Sequence, residues 1–277
     1  MKKYQLGLYE KSMPANLTLH EKLVETKQAG FDYMELSIDE TEEKLARLQW
    51  TKGAIKELVN AMADEAVPIK SICLSGHRRY PLGHPDPAVR KRSLEIMQGA
   101  IVLAARLGVR IIQIAGYDVY YEPSTDATKQ DFAQNLALAA EMAAREGVVL
   151  AFETMETEFV NTVSKALAWV DAIQSPYLQI YPDSGNISNA ARLYDGNPCD
   201  DLRTGRGHLV ALHLKEAKPG VYRDLQYGEG TVDFPSLAST AYELGVRLFV
   251  GEFWYDGKSD WRQTLRLNAK FLRNAIA

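Results

Sequence analysis

Short apolar runs alternate along this chain with longer stretches in which apolar residues return every third or fourth position. The runs lie at 5–9, 33–37, 69–74, 110–115, 148–153, 178–182, 209–214 and 247–253. Their interiors are nearly continuous in hydrophobic residues, as strands covered on both faces require. The stretches at 18–29, 51–65, 87–107, 129–145, 161–173, 234–244 and 261–275 carry helical spacing. Residues 186–206 are less regular. Four helices meet the following strand through a glycine, in KQAGFDYMELS, ARLGVRIIQIA, AAREGVVLAFE and AYELGVRLFVGE, where a left-handed residue closes a helix. Alternation of this kind predicts an α/β chain with a parallel sheet. Eight units predict a single (β/α)8 TIM barrel, with functional groups at the C-terminal ends of the strands.

Four polar residues stand where predicted strands end: Glu153 in VVLAFE, Asp183 in LQIYPD, His213 in LVALHL and Glu252 in RLFVGE. Their intervals of 30, 30 and 39 residues each match about one strand plus one helix, so a barrel would bring them to one rim. Three carboxylates and one imidazole suit one divalent cation, Zn²⁺, Mn²⁺ or Mg²⁺. Taken singly, a carboxylate after a strand is as often a helix cap, and a histidine in an apolar strand is more often a core residue satisfied by a backbone carbonyl. The recurrence of all four at matching places favours a metal site. Glu156 and Glu158 lie close enough to Glu153 to compete with it as the first ligand.

At 277 residues, 46% of them hydrophobic, the chain can bury a large core, and no linker-like segment divides it, so one domain over 1–277 is expected. The net charge of −4 and pI near 5.8 give no general attraction to nucleic acid or to anionic membranes. The two cysteines, Cys73 and Cys199, have no paired spacing, which fits a reducing compartment. MKKYQLGLYEKS is too short in apolar residues for a signal peptide, and no stretch approaches the ~20 apolar residues of a membrane span. A cytoplasmic protein is expected.

A carboxylate-rich cation site suits proton abstraction beside a carbonyl. A cation on the carbonyl and adjacent hydroxyl of a ketose stabilises the enediolate left when the neighbouring proton is removed. Two carboxylates could then take a proton from one face and return one to the other, inverting the carbon. Glu153 and Glu252 are candidates for that pair, although spacing alone does not select them.

The ladder LAFE, YPDSGN, ALHLKEAKPG, YGEGTVDF and VGEFW resembles the xylose-isomerase-like superfamily. More narrowly it resembles the L-ribulose/L-xylulose-5-phosphate 3-epimerases of bacterial ascorbate and pentose catabolism. LGLYEKSMP, MELSIDET, CLSGHRRYPLG, QIAGYDVYY and VSKAL follow in the same order, so the likeness covers nearly the whole chain. The resemblance implies that Glu153, Asp183, His213 and Glu252 bind one divalent metal ion, and that the two glutamates act as acid and base. It further implies a sugar-phosphate substrate and a homodimer. Related epimerases of free ketoses often carry histidine three residues after the metal-binding aspartate, where this chain has Asn186, which leaves a hydroxyl-binding role for Asn186 open.

His77, Arg78 and Arg79 in SGHRRYPLG are candidates for the phosphate, and Lys215, Lys218 and Arg223 after the seventh strand compete with them. Glu35 at the end of the second strand is a candidate substrate contact or a structural residue, and Tyr9 and Glu10 hold a similar place after the first. Tyr117, Tyr120 and Tyr121 cover either the sugar or a packing surface. Rival readings are an epimerase or isomerase of a free ketose or hydroxypyruvate-like substrate, a DNA-repair endonuclease, and a sugar-binding barrel without catalysis. Five histidines, one of them in a predicted helix, are few for the three-metal cluster of the endonucleases.

Overall fold

A computed structural model describes residues 4–258 and 260–276. Eight strands form one sheet: β1 (Gln5–Tyr9), β2 (Tyr33–Ile38), β3 (Ile69–Leu74), β4 (Ile111–Ala115), β5 (Val149–Glu153), β6 (Leu178–Ile180), β7 (Leu212–Leu214) and β8 (Leu248–Gly251). Their order is β6-β5-β4-β3-β2-β1-β8-β7, and all the pairings are parallel. Single bridges Ile180–Leu209 and Asp183–His213 join the two ends, closing a (β/α)8 TIM barrel of the kind that the alternation predicts.

Among the described residues, ten α-helices surround it: α1 (Leu19–Ala29), α2 (Glu42–Ala46), α3 (Lys52–Glu65), α4 (Pro87–Leu107), α5 (Asp126–Glu146), α6 (Val163–Ile173), α7 (Ser184–Leu193), α8 (Pro198–Thr204), α9 (Phe234–Glu243) and α10 (Trp261–Ile276). Thr18, Thr51, Thr125 and Thr162 cap α1, α3, α5 and α6, each side chain accepting a backbone N–H of the first turn. The four interface glycines, Gly30, Gly108, Gly147 and Gly245, all have positive φ.

Strand alternation separates two cores. Leu6, Leu8, Met34, Leu36, Ile112, Ile114, Leu150, Phe152, Leu212 and Leu214 face the helices in the large outer core. Residues of the other parity turn into the barrel, where Tyr9, Tyr33, Cys73, Ala151, Tyr181, Ala211 and Val250 pack together. The same parity carries Glu35 two residues beyond Tyr33, Glu153 beyond Ala151, His213 beyond Ala211 and Glu252 beyond Val250. At Gly7 the Tyr33 ring of the adjacent strand β2 lies so close that a Cβ would collide with it.

The least regular part of the barrel is its closure. β6 and β7 are shorter than the apolar runs that announce them, and their backbones meet through the two bridges and the hydrogen bonds Ile180 N to His208 O, Val210 N to Ile180 O and His213 N to Pro182 O. Pro182 lacks the N–H that a longer ladder would need. The irregular stretch 186–206 contains the rest of α7 and all of α8. The buried residues of α7 are mostly polar, Ser184, Asn186, Ser188 and Asn189 beside Gly185, Ile187 and Ala190, so little apolar periodicity marks it.

Candidate metal centre

Glu153, Asp183, His213 and Glu252 are buried together at the C-terminal mouth of the barrel, with one ligand atom from each lying within 4.8 Å of the others. Among the described residues this is the one His/Cys/Asp/Glu cluster with the disposition of a metal site. His213 Nδ1 lies 3.0 Å from Glu252 Oε2 and 3.5 Å from Glu153 Oε1. Its other nitrogen, Nε2, lies 2.7 Å from Glu35 Oε1. Glu35 Oε2 in turn accepts hydrogen bonds from Ser71 Oγ at 2.6 Å and Tyr181 OH at 2.9 Å. Such a carboxylate behind a histidine fixes the ring and its tautomer, leaving Nδ1 toward the cluster.

Asp183 is both the N-cap of α7 and a member of the cluster. Its Oδ1 accepts the Asn186 N–H at 2.7 Å and lies 3.2 Å from Lys215 Nζ. Its Oδ2 is buried and has no hydrogen-bond partner among the described residues. Burial, with Glu252 and Glu153 adding to it against Lys215, pushes Asp183 well above the usual carboxylate range. Burial and Glu252 also raise Glu153. Burial would raise Glu252 too, but Lys215 and His213 hold it below the usual range. Burial would lower His213, yet Glu35 and Glu252 raise it well above an ordinary histidine.

Three crowded carboxylates with an orphaned oxygen among them need a proton or a cation between them. Oxygen and imidazole donors suit a divalent cation, so this residue set fits the metal that the sequence pattern implies. Lys215, held protonated by Asp183 and Glu252 against its burial, supplies one further positive charge.

The other histidines lie elsewhere. His20 meets Glu65 on the surface, His84 meets Glu122, and His208 meets Gln179. His77, a candidate for the phosphate, is turned away from the mouth: its Nε2 lies 3.1 Å from Ser93 O of α4, and burial lowers its pKa to about 4. An uncharged, enclosed imidazole is not an anion receptor. Arg79 is also off the site, exposed beside Glu42 and over the Tyr80 ring. Asn186 donates to Thr154 O at 2.7 Å and so buttresses the strand end next to Asp183. Glu35 is fully buried behind His213.

Glu10 is equally enclosed in a cation cluster of Lys22, Lys44 and Arg47. Burial favours the neutral acid, but Arg47 and the two lysines hold Glu10 well below the carboxylate range. Tyr117 is buried against Tyr120 at a ring distance of 5.1 Å, whereas Tyr121 is exposed and bonded to Glu40.

A cavity of about 40 Å³ opens over the cluster, lined by Glu153 and Glu252 and rimmed by cationic and aromatic side chains such as Arg78, Arg223 and Trp254. A larger cleft of about 640 Å³ lies on the flank between α8 and α9, away from the strand ends, and holds none of the four clustered residues. Lys215 and Arg223 reach the small cavity, while Lys218 is exposed in the β7–α9 loop. Sequence reasoning missed Lys11, which lines the same cavity and pairs with Asp39 at 2.5 Å. Its position directly after Tyr9 and Glu10 at the end of β1 was the available signal.

Residues 23–275 match the family described as xylose isomerase-like TIM barrel. SgbU of Escherichia coli (strain K12), which carries the name L-ribulose-5-phosphate 3-epimerase provisionally, is 44% identical over 92% of this chain and 90% of its own. UlaE of Escherichia coli O139:H28, named L-ribulose-5-phosphate 3-epimerase, is 42% identical over 94% of this chain and 90% of its own. A D-psicose 3-epimerase from Clostridium cellulolyticum H10, solved with D-tagatose, superposes with a TM-score of 0.81 at 15% identity, over 98% of this chain and 99% of that one. The last likeness is one of fold. By family match and by sequence identity together, the chain belongs to the xylose isomerase-like TIM barrels and, within them, to the group of relatives named L-ribulose-5-phosphate 3-epimerases.

Proposed function

We propose that this protein is an isomerase, a divalent-cation-dependent 3-epimerase that interconverts L-ribulose 5-phosphate and L-xylulose 5-phosphate. The observation that carries the reading is that two glutamates of the four-residue cluster, Glu153 and Glu252, both line one small cavity at the strand ends. The curated relatives supply the substrate. Glu153, Asp183, His213 and Glu252 would hold the cation, which supplies charge stabilisation for the carbonyl and adjacent hydroxyl oxygens of a ketose.

One glutamate, as carboxylate, takes the proton from C3 of the ketose. The electron pair of that bond delocalises into the neighbouring carbonyl, giving a cis-enediolate. The other glutamate, as the acid, returns a proton to the opposite face of C3. Nothing is oxidised or reduced, and no co-reactant is consumed. Glu35 holds the His213 ring, Thr154 Oγ1 accepts the Asp183 N–H while Asn186 donates to Thr154 O, and Tyr9, Met155 and Trp254 line the cavity. In pathway terms this is a step of L-ascorbate and pentose breakdown. A homodimer of cytoplasmic location completes the reading, and light scattering on the purified protein tests its stoichiometry.

The test is proton NMR of L-ribulose 5-phosphate in D₂O with chelated enzyme, repeated after adding Mn²⁺, Zn²⁺ or Mg²⁺. Cation-dependent formation of L-xylulose 5-phosphate with deuterium at C3 is the expected result. Absence of exchange with every cation would overturn the reading, and exchange with L-ribulose alone would move it to a free ketose.

A further inference from the structure

We propose that Glu10 is a positioning residue: its buried carboxylate clamps the end of β1 to α1, α2 and β2, and through that turn holds Glu252 and Trp254 in place at the cavity. This inference rests on the epimerase reading above and adds to it a residue set behind the cavity wall.

The grip on the carboxylate is the first observation. Arg47, in the turn after α2, donates through both terminal nitrogens, Nη1 to Oε2 at 2.6 Å and Nη2 to Oε1 at 2.8 Å. Lys22 Nζ of α1 and Lys44 Nζ of α2 both reach Oε1, the former at 3.0 Å. The Ser37 N–H of β2 meets Oε2 at 2.9 Å. Five donors from four segments thus converge on one side chain that is fully enclosed.

Stability alone is a poor reason for such a cluster. Buried ions give up hydration, and their mutual attraction often does no more than offset that loss. What a two-pronged arginine with further donors does supply is a fixed position.

That position is transmitted to the cavity. Alternation along β1 turns Tyr9 into the barrel and Glu10 outward, and Tyr9 and Lys11, on either side of Glu10, both line the cavity. The short 3-10 turn Glu10–Ser12 is tied in its turn to the segment after β8. Ser12 Oγ donates to Phe253 O at 2.7 Å, and the Tyr255 N–H donates to Lys11 O at 2.9 Å. These two bonds bracket Trp254, which meets the Tyr9 ring edge-on at 6.3 Å, and the first of them falls on the residue next to Glu252. A second tie closes the circuit: Lys11 pairs with Asp39, whose Oδ1 accepts the Thr41 N–H at the start of α2, the helix that carries Lys44. A displacement of Glu10 therefore passes along one turn to a reactive glutamate and to the aromatic wall beside it.

The experiment uses the full chain at saturating cation, with the variants Arg47→Lys, Ser12→Ala, their combination, and Lys22→Met. Measured are kcat and KM for L-ribulose 5-phosphate, the melting temperature, and acrylamide quenching of Trp254, read as the difference between each protein and its Trp254→Phe counterpart. Arg47→Lys keeps the charge and loses the two-pronged grip. Its kcat is expected to fall about tenfold with KM held within about threefold, because turnover is sensitive to displacements of an ångström, and Trp254 should become more open to the quencher. Ser12→Ala cuts the tie to Phe253 and should give the same loss, with the double variant little worse than either alone, since both act through one turn. Lys22→Met removes a single donor and should lose less. A kcat within about twofold of the unaltered protein in folded Arg47→Lys, whatever its melting temperature, would overturn the clamp and leave Glu10 a structural residue. Turnover of no ketose by the unaltered protein would sink the epimerase reading instead, and the quenching would then decide the clamp: equal quenching of Trp254 with and without Arg47→Lys overturns it.

Discussion

Replacing Glu35 by glutamine keeps the size of a fully buried side chain but removes the charge behind His213. The substitution weakens the 2.7 Å bond between His213 Nε2 and Glu35 Oε1, a charge-assisted bond worth about 1.5–3 kcal/mol. At about 1.4 kcal/mol per factor of ten, the affinity of the four-residue cluster for a divalent cation should fall about ten- to hundredfold. The pH dependence follows from the direction of the His213 shift. Its raised pKa leaves the ring protonated in the metal-free protein, so a cation displaces that proton and binds more tightly as pH rises. In Glu35→Gln the imidazolium loses its main support, and the climb with pH should flatten. Competition of Mn²⁺ or Zn²⁺ against a chromophoric chelator at pH 6.5 and 8 measures both effects. Ser71→Ala removes another hydrogen bond to the same carboxylate without touching the histidine, and should cost less. A Glu35→Gln protein that is folded and binds the cation within twofold of the unaltered protein at pH 8 would refute the argument.

Three further outcomes are expected. Burial holds His77 at about 4 against an ordinary 6.5. The unfolded chain therefore takes up this proton first as pH falls, and stability drops through the window from 6.5 to 4, by about 2 kcal/mol between pH 7 and pH 5. Urea unfolding of His77→Gln should show that part of the slope gone, and an unchanged slope would contradict it. Gly7→Ala should lose about 1–3 kcal/mol because the new methyl meets the Tyr33 ring, and adding Tyr33→Leu should restore part of the loss in the same assay. Glu216 is buried and accepts the backbone N–H groups of Ala217, Gly228 and Val232, tying down the loop that carries Arg223. Glu216→Gln should speed tryptic cleavage after Arg223 about tenfold, and equal cleavage rates would show that other contacts hold the loop.

The barrel could be read from the sequence because its strands are covered on both faces and its helices are amphipathic, two periods that survive in one dimension. Glu153, Asp183, His213 and Glu252 were visible for the same reason: each interrupts an apolar run at its end. Glu35 interrupts one as well, but its partner His213 lies 178 residues away, and no local pattern separates a residue supporting a ligand from one touching a substrate. The arginines of SGHRRYPLG look alike in sequence. Only packing separates Arg78, stacked on Tyr120 at the cavity, from Arg79 in solvent. α7 stayed hidden because most of its buried side chains, Ile187 and Ala190 apart, are polar: Ser184 Oγ exchanges hydrogen bonds with the Lys215 backbone, and Ser188 Oγ bonds Ser184 O. Helix burial of that kind leaves no hydrophobic stripe.

The seam between β6 and β7 ties chemistry to architecture. Asp183 and His213 are partners in one of the two bridges that close the barrel, and both belong to the four-residue cluster. An ion gripped by both would act as a rivet at the thinnest point of the wall. Hydrogen exchange at the His213 and Val210 amides would then report cation occupancy, slowing as the rivet is set, while the amides of the long β2–β3 ladder would be indifferent to it. Starving the protein of metal would thus first loosen the wall where it is already most sparsely stitched, before the remainder of the fold yields.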